Sequence, residues 1–77
     1  MKKNIAVIGS GSWGVALGML LNKNGHNVKM WSYSEEEARI INEGRKCKFL
    51  PEITIPDGIA CYTDFESAMK DTEIVLI

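Results

Sequence analysis

The chain has 77 residues, which is enough for one small domain. Nine basic and ten acidic residues give a net charge of −1. They are scattered rather than gathered into a basic stripe, so nucleic acid is not expected as a partner. No apolar run approaches the ~20 residues that a membrane-spanning helix needs.

The cysteine and histidine content argues against a metal site or a disulfide framework. Cys47 and Cys61 lie in no C-x-x-C pair, and His26 is the single histidine. We therefore expect no metal ligands, and we interpret both cysteines as spectators. Two thiols without a disulfide framework favour a reducing compartment, which predicts a cytoplasmic location.

Apolar residues recur with strand and helix periods in turn along the chain. The predicted strands are NIAVIG (4–9), NVKMWS (27–32), IACYT (59–63) and TEIVLI (72–77), and the predicted helices are SWGVALGMLLNKNG, EEEARIINEG and DFESAMK. Residues 45–58, which contain both prolines, are predicted to form a loop. Strands that alternate with helices predict an α/β fold with a parallel sheet of about four strands in β-α-β-α-β-α-β order.

Local signals predict where the helices begin and end. The pair Asn24-Gly25 is a good stop for the first helix, since glycine accepts a left-handed conformation there. Ser34 followed by Glu37 predicts a capping box at the second helix, and Thr63 followed by Glu66 predicts another at the third.

The stretch VIGSGSWGVALG carries the spacing G-x-G-x-x-G between a strand and a helix, which is the context of a dinucleotide-binding loop. Gly9 permits the tight turn off the strand, and Gly11 lets a pyrophosphate approach the backbone. Gly14 allows the helix to pack closely on the sheet. A purely structural turn without a ligand is the alternative.

Two residues at the start of this helix are candidate ligand contacts. The N–H groups of Ser12 and Trp13 are unpaired at a helix start and favour an anion. The Trp13 side chain either covers the cofactor or fills a gap. Gly18, inside the same helix, costs about 1 kcal/mol relative to alanine and suggests another close backbone approach.

The acidic residue that usually holds the adenine ribose of NAD is missing after the second strand. Trp31, Ser32 and Tyr33 stand there instead, and the first carboxylate is Glu35. Lys29 lies in mid-strand, where it is a poor substitute for a 2′-phosphate ligand. We therefore expect NADP or NAD with weak discrimination. Ser32 and Tyr33 either contact the adenosine end or are solvent-exposed loop residues.

Two long stretches resemble a known family. IAVIGSGSWGVALGMLLNKNGHNVKMWS, and then FLPEITIPDGI with TDFESAMKDTEIVLI, resemble the N-terminal segment of bacterial NAD(P)-dependent glycerol-3-phosphate dehydrogenase. The resemblance implies that residues 1–77 are the N-terminal part of a Rossmann dinucleotide-binding domain, without the substrate domain. It also implies an oxidoreductase that interconverts dihydroxyacetone phosphate and sn-glycerol 3-phosphate for phospholipid synthesis.

The resemblance also implies positions for the cofactor contacts. They fall on Ser12, Trp13 and Tyr33, beside the three loop glycines, and Phe49 approaches the adenine or nicotinamide side. The family's catalytic lysines and substrate domain would lie beyond residue 77. We therefore expect a chain that binds a dinucleotide and contains no catalytic residue.

Two other functions remain open at this point. One is a module that senses NAD(H) or a nucleotide without chemistry, and the other is a different NAD(P)-dependent reductase with the same loop. The chain finishes on a strand of buried type, so we expect it to be the front part of a larger protein. The edge of that strand, residues 73–77, is expected to support self-association of the chain.

Overall fold

The computed structural model describes residues 2–9, 11–47 and 52–77, and it confirms the predicted alternation of strands and helices. The strands are β1 (Asn4–Ile8), β2 (Asn27–Trp31), β3 (Ile59–Tyr62) and β4 (Ile74–Leu76), and the helices are α1 (Ser12–Lys23), α2 (Glu35–Gly44) and α3 (Phe65–Met69). Each strand is one to three residues shorter than its predicted range. For β1 the reason is Gly9, whose φ of +130° is incompatible with a continuing strand.

The four strands form one parallel sheet in the order β3-β2-β1-β4. The chain moves outward from β1 to β2 and β3, and then returns to the other side of β1. Right-handed crossovers therefore place α1 and α2 on one face of the sheet and α3 on the other. Gly18 of α1 accordingly faces Val28 and Met30, whereas the Lys29 Nζ donates to Lys70 O at the end of α3.

The core lies between the sheet and the α1–α2 face. Its buried members come from β1, β2, β3, α1 and α2 and from the loop after α2: Val7, Val15, Val28, Met30, Ala38, Ile41, Cys47, Ile55, Ile59 and Cys61. Cys47 and Ile55 in this set show that the described parts of the predicted loop, residues 45–47 and 52–58, contribute side chains to the core. Burying these side chains is the main stabilising contribution in so small a domain.

The end of α1 follows the predicted glycine stop. Gly25 has a φ of +94°, and its N–H donates to Asn22 O at 3.0 Å while the His26 N–H donates to Leu21 O at 3.1 Å. These two bonds form a Schellman motif, which satisfies carbonyls that the helix leaves unpaired. The His26 Nδ1 accepts from the Lys3 N–H at 3.1 Å, so this histidine ties the turn to the start of β1.

The serine half of the capping box predicted at Ser34 is confirmed, because the Ser34 Oγ accepts a hydrogen bond from the Glu37 N–H at 3.2 Å. Three glutamates, at 35–37, occupy the first turn of α2. Carboxylates at that position complement the positive end of the helix dipole. The second helix therefore meets the electrostatic needs of its N-terminus with its own residues.

The capping box predicted at Thr63 and Glu66 is wrong. Because α3 begins at Phe65, the cap is Asp64, whose carboxylate accepts from the N–H groups of Glu66 and Ser67 at 3.3 and 3.2 Å. The hydrogen bond from the Ser67 hydroxyl, at 2.6 Å, is the main reason that the pKa of Asp64 lies below its usual value, and the backbone bonds add to it. An aspartate one residue later displaces the threonine because its two oxygens accept several bonds.

Candidate functional site

The glycine loop joins β1 to α1, and two of its glycines are required by the protein's own geometry. Gly9 adopts a φ of +130°, which side-chain-bearing residues rarely accept, and its N–H donates to Trp31 O at 2.8 Å. A Cβ on Gly14 would lie 3.1 Å from Gly9 O. The close packing predicted for Gly14 is therefore confirmed, and the loop turns tightly under the first turn of the helix.

Gly11 is different, because nothing in the described protein requires a glycine there. Its φ of −73° and ψ of 179° are open to any residue, and a Cβ would meet no atom within 4 Å. A side chain at this position would extend into open space in front of α1. The contacts of the described residues therefore do not require a glycine at this position.

The N-terminus of α1 offers its backbone amides to that space. The N–H of Val15 donates to Gly11 O at 2.9 Å, so the N–H groups of Ser12 and Trp13 precede the first intrahelical bond. Gly11 is the N-cap and has no side chain, and the first turn contains no acidic residue. The other two helices are capped by their own Ser34 and Asp64. The positive end of the α1 dipole is therefore compensated neither by a capping side chain nor by a carboxylate in its first turn.

A cleft of about 200 Å³ opens beside this loop, between the carboxyl ends of β1 and β4. It lies where the strand order reverses direction, which is the place where open α/β sheets bind ligands. Its lining consists of backbone from the glycine loop and of apolar side chains: Val7, Ile8, Gly9, Gly11, Trp13, Gly14, Leu17, Leu76 and Ile77.

The walls of the cleft include the predicted contact Trp13 and three residues that the sequence interpretation missed as site residues, Leu17, Leu76 and Ile77. Trp13 borders the cleft and is 75% exposed, and Leu17 follows one helical turn later. Leu76 and Ile77 form the opposite wall. The i, i+4 spacing of Trp13 and Leu17 was available as a signal, but only the strand order brings β4 next to β1.

At the carboxyl end of β2, Ser32 and Tyr33 have very different surroundings. Ser32 is 2% exposed, its N–H donates to Tyr62 O at 2.9 Å, and its Oγ accepts from the Ser34 N–H at 3.1 Å. Tyr33 is 84% exposed. Ser32 is therefore not solvent-exposed, and it shapes the turn. Tyr33 projects from the turn into solvent, and this exposure agrees with both alternatives.

Three further residues, Trp31, Lys29 and Gly18, make their contacts with other parts of the fold. Trp31 packs edge-on against Phe65, with ring centroids 5.8 Å apart, and its Nε1 donates to Thr63 O at 3.0 Å. Lys29 is engaged at the end of α3, as described above, and is not a phosphate ligand at this site. The prediction of a close backbone approach at Gly18 is wrong, because a Cβ there would contact only the Val28 Cγ1 at 3.5 Å and the Met30 sulfur at 3.8 Å, which are side-chain atoms at ordinary distances.

Phe49 and the two cysteines are the last residues that the sequence interpretation considered. Phe49 lies outside the described residues. Cys47 and Cys61 are both buried. Burial, with a smaller contribution from the carboxylate of Glu37, raises the pKa of Cys61 to about 11. The Cys61 thiol is therefore protonated at neutral pH and is a poor nucleophile.

A parallel sheet in the order 3-2-1-4, a glycine loop after its first strand and an uncapped helix N-terminus define a Rossmann-type dinucleotide-binding domain. Residues 4–77 match the family described as NAD-dependent glycerol-3-phosphate dehydrogenase N-terminus, and the chain belongs to that family.

Individual relatives agree with this assignment. The chain is 43% identical over 76 residues to the glycerol-3-phosphate dehydrogenase [NAD(P)+] of Geobacillus thermodenitrificans, and 42% identical over 76 residues to that of Streptococcus sanguinis. Each alignment covers 97% of this chain and 22% of the relative. The crystal structure of glycerol-3-phosphate dehydrogenase from Coxiella burnetii superposes with a TM-score of 0.86 at 29% identity, over 97% of this chain and 24% of that one.

These comparisons confirm the predicted family, fold and cofactor class, which is NAD or NADP. The chain spans about a fifth of the length of the curated relatives that it matches. Within residues 2–9, 11–47 and 52–77, no helix combines the length and the apolar character that a membrane crossing requires.

Proposed function

We propose that this chain binds the pyrophosphate of NAD or NADP at the N-terminus of α1 and supplies the dinucleotide-binding part of a glycerol-3-phosphate dehydrogenase. The observation that carries the proposal is Gly11, the one loop glycine that neither backbone strain nor packing explains. The space in front of it is bordered by the amides of Ser12 and Trp13. When bound, the nicotinamide ring supplies the hydride acceptor or donor.

The other proposed contacts surround this anion site. Gly9 and Gly14 hold the loop in the shape that exposes those amides. Tyr33 stacks on the adenosine end, and the buried Ser32 fixes the turn from which Tyr33 projects. Phe49, outside the described residues, remains proposed from the family resemblance. None of these residues is proposed to be catalytic. For the whole protein we propose a small phosphorylated substrate and a location in the cytoplasm.

We expect similar affinities for the two cofactors. A carboxylate after β2 would select NAD by repelling the 2′-phosphate of NADP, and a cation there would select NADP. The exposed residue at this place is the neutral Tyr33, and the nearby Lys29 is engaged with Lys70 O. Neither form of the adenine ribose is therefore favoured by a charge.

A fluorescence titration with NADH and with NADPH tests the binding proposal. Trp13 lies at the loop, whereas Trp31 is packed against Phe65, so the Trp31→Phe variant reports on Trp13 and the Trp13→Phe variant serves as the matched control. Saturable quenching of similar midpoint by both cofactors is expected in the wild-type chain and in Trp31→Phe. No saturable change with either cofactor would contradict the proposal.

The main competing function is a module that senses NAD(H) without chemistry. Binding to this chain does not distinguish the two functions, because both need the loop. Oxidation of glycerol 3-phosphate by a full-length protein that contains this chain does distinguish them. If such a protein binds NADH normally and shows no turnover with glycerol 3-phosphate or dihydroxyacetone phosphate, the sensing function replaces the dehydrogenase.

We also propose that two copies of the chain associate through residues 73–77. The side chains of Ile74, Val75 and Ile77 are exposed, and β4 is an outer strand of the sheet. Antiparallel pairing centred on Val75 sets Ile74 opposite Leu76 of the second copy and Glu73 opposite Ile77. Like charges therefore do not face one another, and Glu73 keeps its ion pair with Lys3. Sedimentation of only monomer at micromolar concentration would exclude this association.

A further inference from the structure

The two outer strands of the sheet differ in how their free backbone groups are used. On β3, the Ser32 N–H donates to Tyr62 O at 2.9 Å, so Tyr62 directs its backbone groups toward β2. Successive residues of a strand direct their N–H and C=O groups to opposite sides. Ile59 and Cys61 therefore direct their backbone groups outward, to the edge where another strand would pair.

All four of these outward groups are hydrogen-bonded within the chain. The Asn42 side chain bonds to both groups of Cys61: its Nδ2 donates to Cys61 O at 2.7 Å, and its Oδ1 accepts from the Cys61 N–H at 2.8 Å. The Arg45 Nη2 donates to Ile59 O at 2.6 Å, and the Ile59 N–H donates to Pro56 O at 3.2 Å. The amide of Asn42 thus takes the place of a peptide group from a neighbouring strand.

Arg45 is held in place by contacts other than the one to β3. Its backbone has a φ of 53° at the C-cap of α2, and its N–H donates to Ile41 O at 3.2 Å. The Nε donates to Ile55 O at 3.2 Å, and the guanidinium lies 3.6 Å from the Asp57 carboxylate. These contacts anchor the arginine between the end of α2 and the loop that precedes β3.

The opposite edge of the sheet has no such closure. The Glu73 N–H donates to Asn4 O at 2.9 Å, so Val75 also faces β1, and the backbone groups of Ile74 and Leu76 face outward. These outward groups have no hydrogen-bond partner among the residues that the structure describes. Ile74 is 40% exposed. The edge of β4 is therefore chemically ready to pair with a strand.

We propose that Asn42 and Arg45 form an edge lock that closes β3, so that the sheet accepts an added strand at β4 only. A second copy of the chain at β4 then gives a closed two-fold dimer, because the far edges of both sheets are locked. Removing Asn42 opens a second pairing edge and converts closed dimers into open-ended assemblies. The inference that a second copy occupies the β4 edge depends on the self-association proposed above, whereas the inference of a lock at β3 does not depend on it.

Blocking β4 separates the two proposals. The N–H of residue 74 faces outward, so Ile74→Pro removes a donor from the open edge without breaking the ladder to β1. Asn42→Ala is then compared with Glu43→Ala, a matched change at the next residue of α2, both in the Ile74→Pro background. Sedimentation velocity is expected to show monomer for Ile74→Pro and for Glu43→Ala/Ile74→Pro. Dimers, in a fraction that rises with concentration, are expected for Asn42→Ala/Ile74→Pro, because β3 is then the one outer strand of the described sheet that can pair.

A monomeric, folded Asn42→Ala/Ile74→Pro chain would overturn the lock. A monomeric wild-type chain would overturn the self-association and leave the lock standing. Amide exchange on the Ile74→Pro chain tests the lock without changing Asn42. The Cys61 N–H is expected to exchange at least about tenfold more slowly than the Leu76 N–H, although both lie on outer strands. Equal exchange rates at these two amides would also refute the lock.

Discussion

Replacing Gly11 by serine is expected to separate the stability of this domain from its ability to bind a dinucleotide. The backbone of Gly11 already has the extended conformation of an N-cap, and a Cβ there meets nothing within 4 Å. A serine hydroxyl can therefore accept from the first-turn N–H groups of α1. Those are the groups proposed to bind the pyrophosphate, so the variant closes the site with its own side chain.

The two effects have opposite signs and different sizes. Serine exceeds glycine as an N-cap by a few tenths of a kcal/mol. With a shift of ~4–8 °C per kcal/mol in a domain of this length, Tm is expected to rise by about 1–2 °C. A hydrogen bond to a charged group contributes about 1.5–3 kcal/mol. The loss of even one such bond to the pyrophosphate weakens binding by roughly 10- to 150-fold.

Thermal unfolding and NADPH titration of the same preparation measure both effects. Gly44→Ala is the matched control, because Gly44 also has no neighbour within 4 Å of a Cβ and lies at the end of α2, away from the loop. The control is expected to keep its affinity. If Gly11→Ser binds NADPH as tightly as the wild-type chain, the first-turn amides are not the anion site.

Two further changes test the local analysis. Gly18→Ala is expected to raise Tm by up to about 4–8 °C, because alanine stabilises a helix by about 1 kcal/mol relative to glycine and its Cβ would make an ordinary 3.5 Å contact. Gly14→Ala would place a Cβ 3.1 Å from Gly9 O, so its Tm is expected to stay at or below the wild-type value. Equal shifts of the two variants in differential scanning calorimetry would refute the packing role of Gly14. The pKa of Asp64 is lower in the folded chain than its ordinary 3.8. The stabilisation of the fold by this carboxylate is therefore fully present above pH 3.8 and is lost as the pH falls through the folded pKa. The fall in Tm between about pH 5 and about pH 3 is thus expected to be shallower in Asp64→Asn, and identical slopes would show that the cap does not titrate.

Much of this fold could be predicted from the sequence because its signals are local. Strand and helix periods gave the chain order, and the glycine spacing located the loop. The stop at Gly25 and the cap at Ser34 depend on a few neighbouring residues. Even at this range, the cap of α3 was misplaced by one residue, since Thr63 and Asp64 both suit the position and only the true helix start decides between them.

The features that could not be predicted depend on contacts between distant segments. Leu76 forms a wall of the cleft only because β4 returns to the side of β1, and the order of elements along the chain does not fix that return. The burial of Ser32 follows from its pairing with Tyr62, thirty positions away along the chain. The bonds from Asn42 to Cys61 likewise join α2 to β3 across the loop.

The glycines of α1 and its loop differ in what the fold requires of each of them. Gly9 is required by its φ and Gly14 by packing, so a substitution at either position changes the loop itself. Gly18 faces side chains at ordinary distances, and replacing it is expected to stabilise the helix. Gly11 is the position where the fold would gain from a capping side chain and the sequence has none. A domain of marginal stability that caps α2 and α3 and leaves α1 uncapped gives up stability at the helix whose N-terminus is proposed to bind the pyrophosphate.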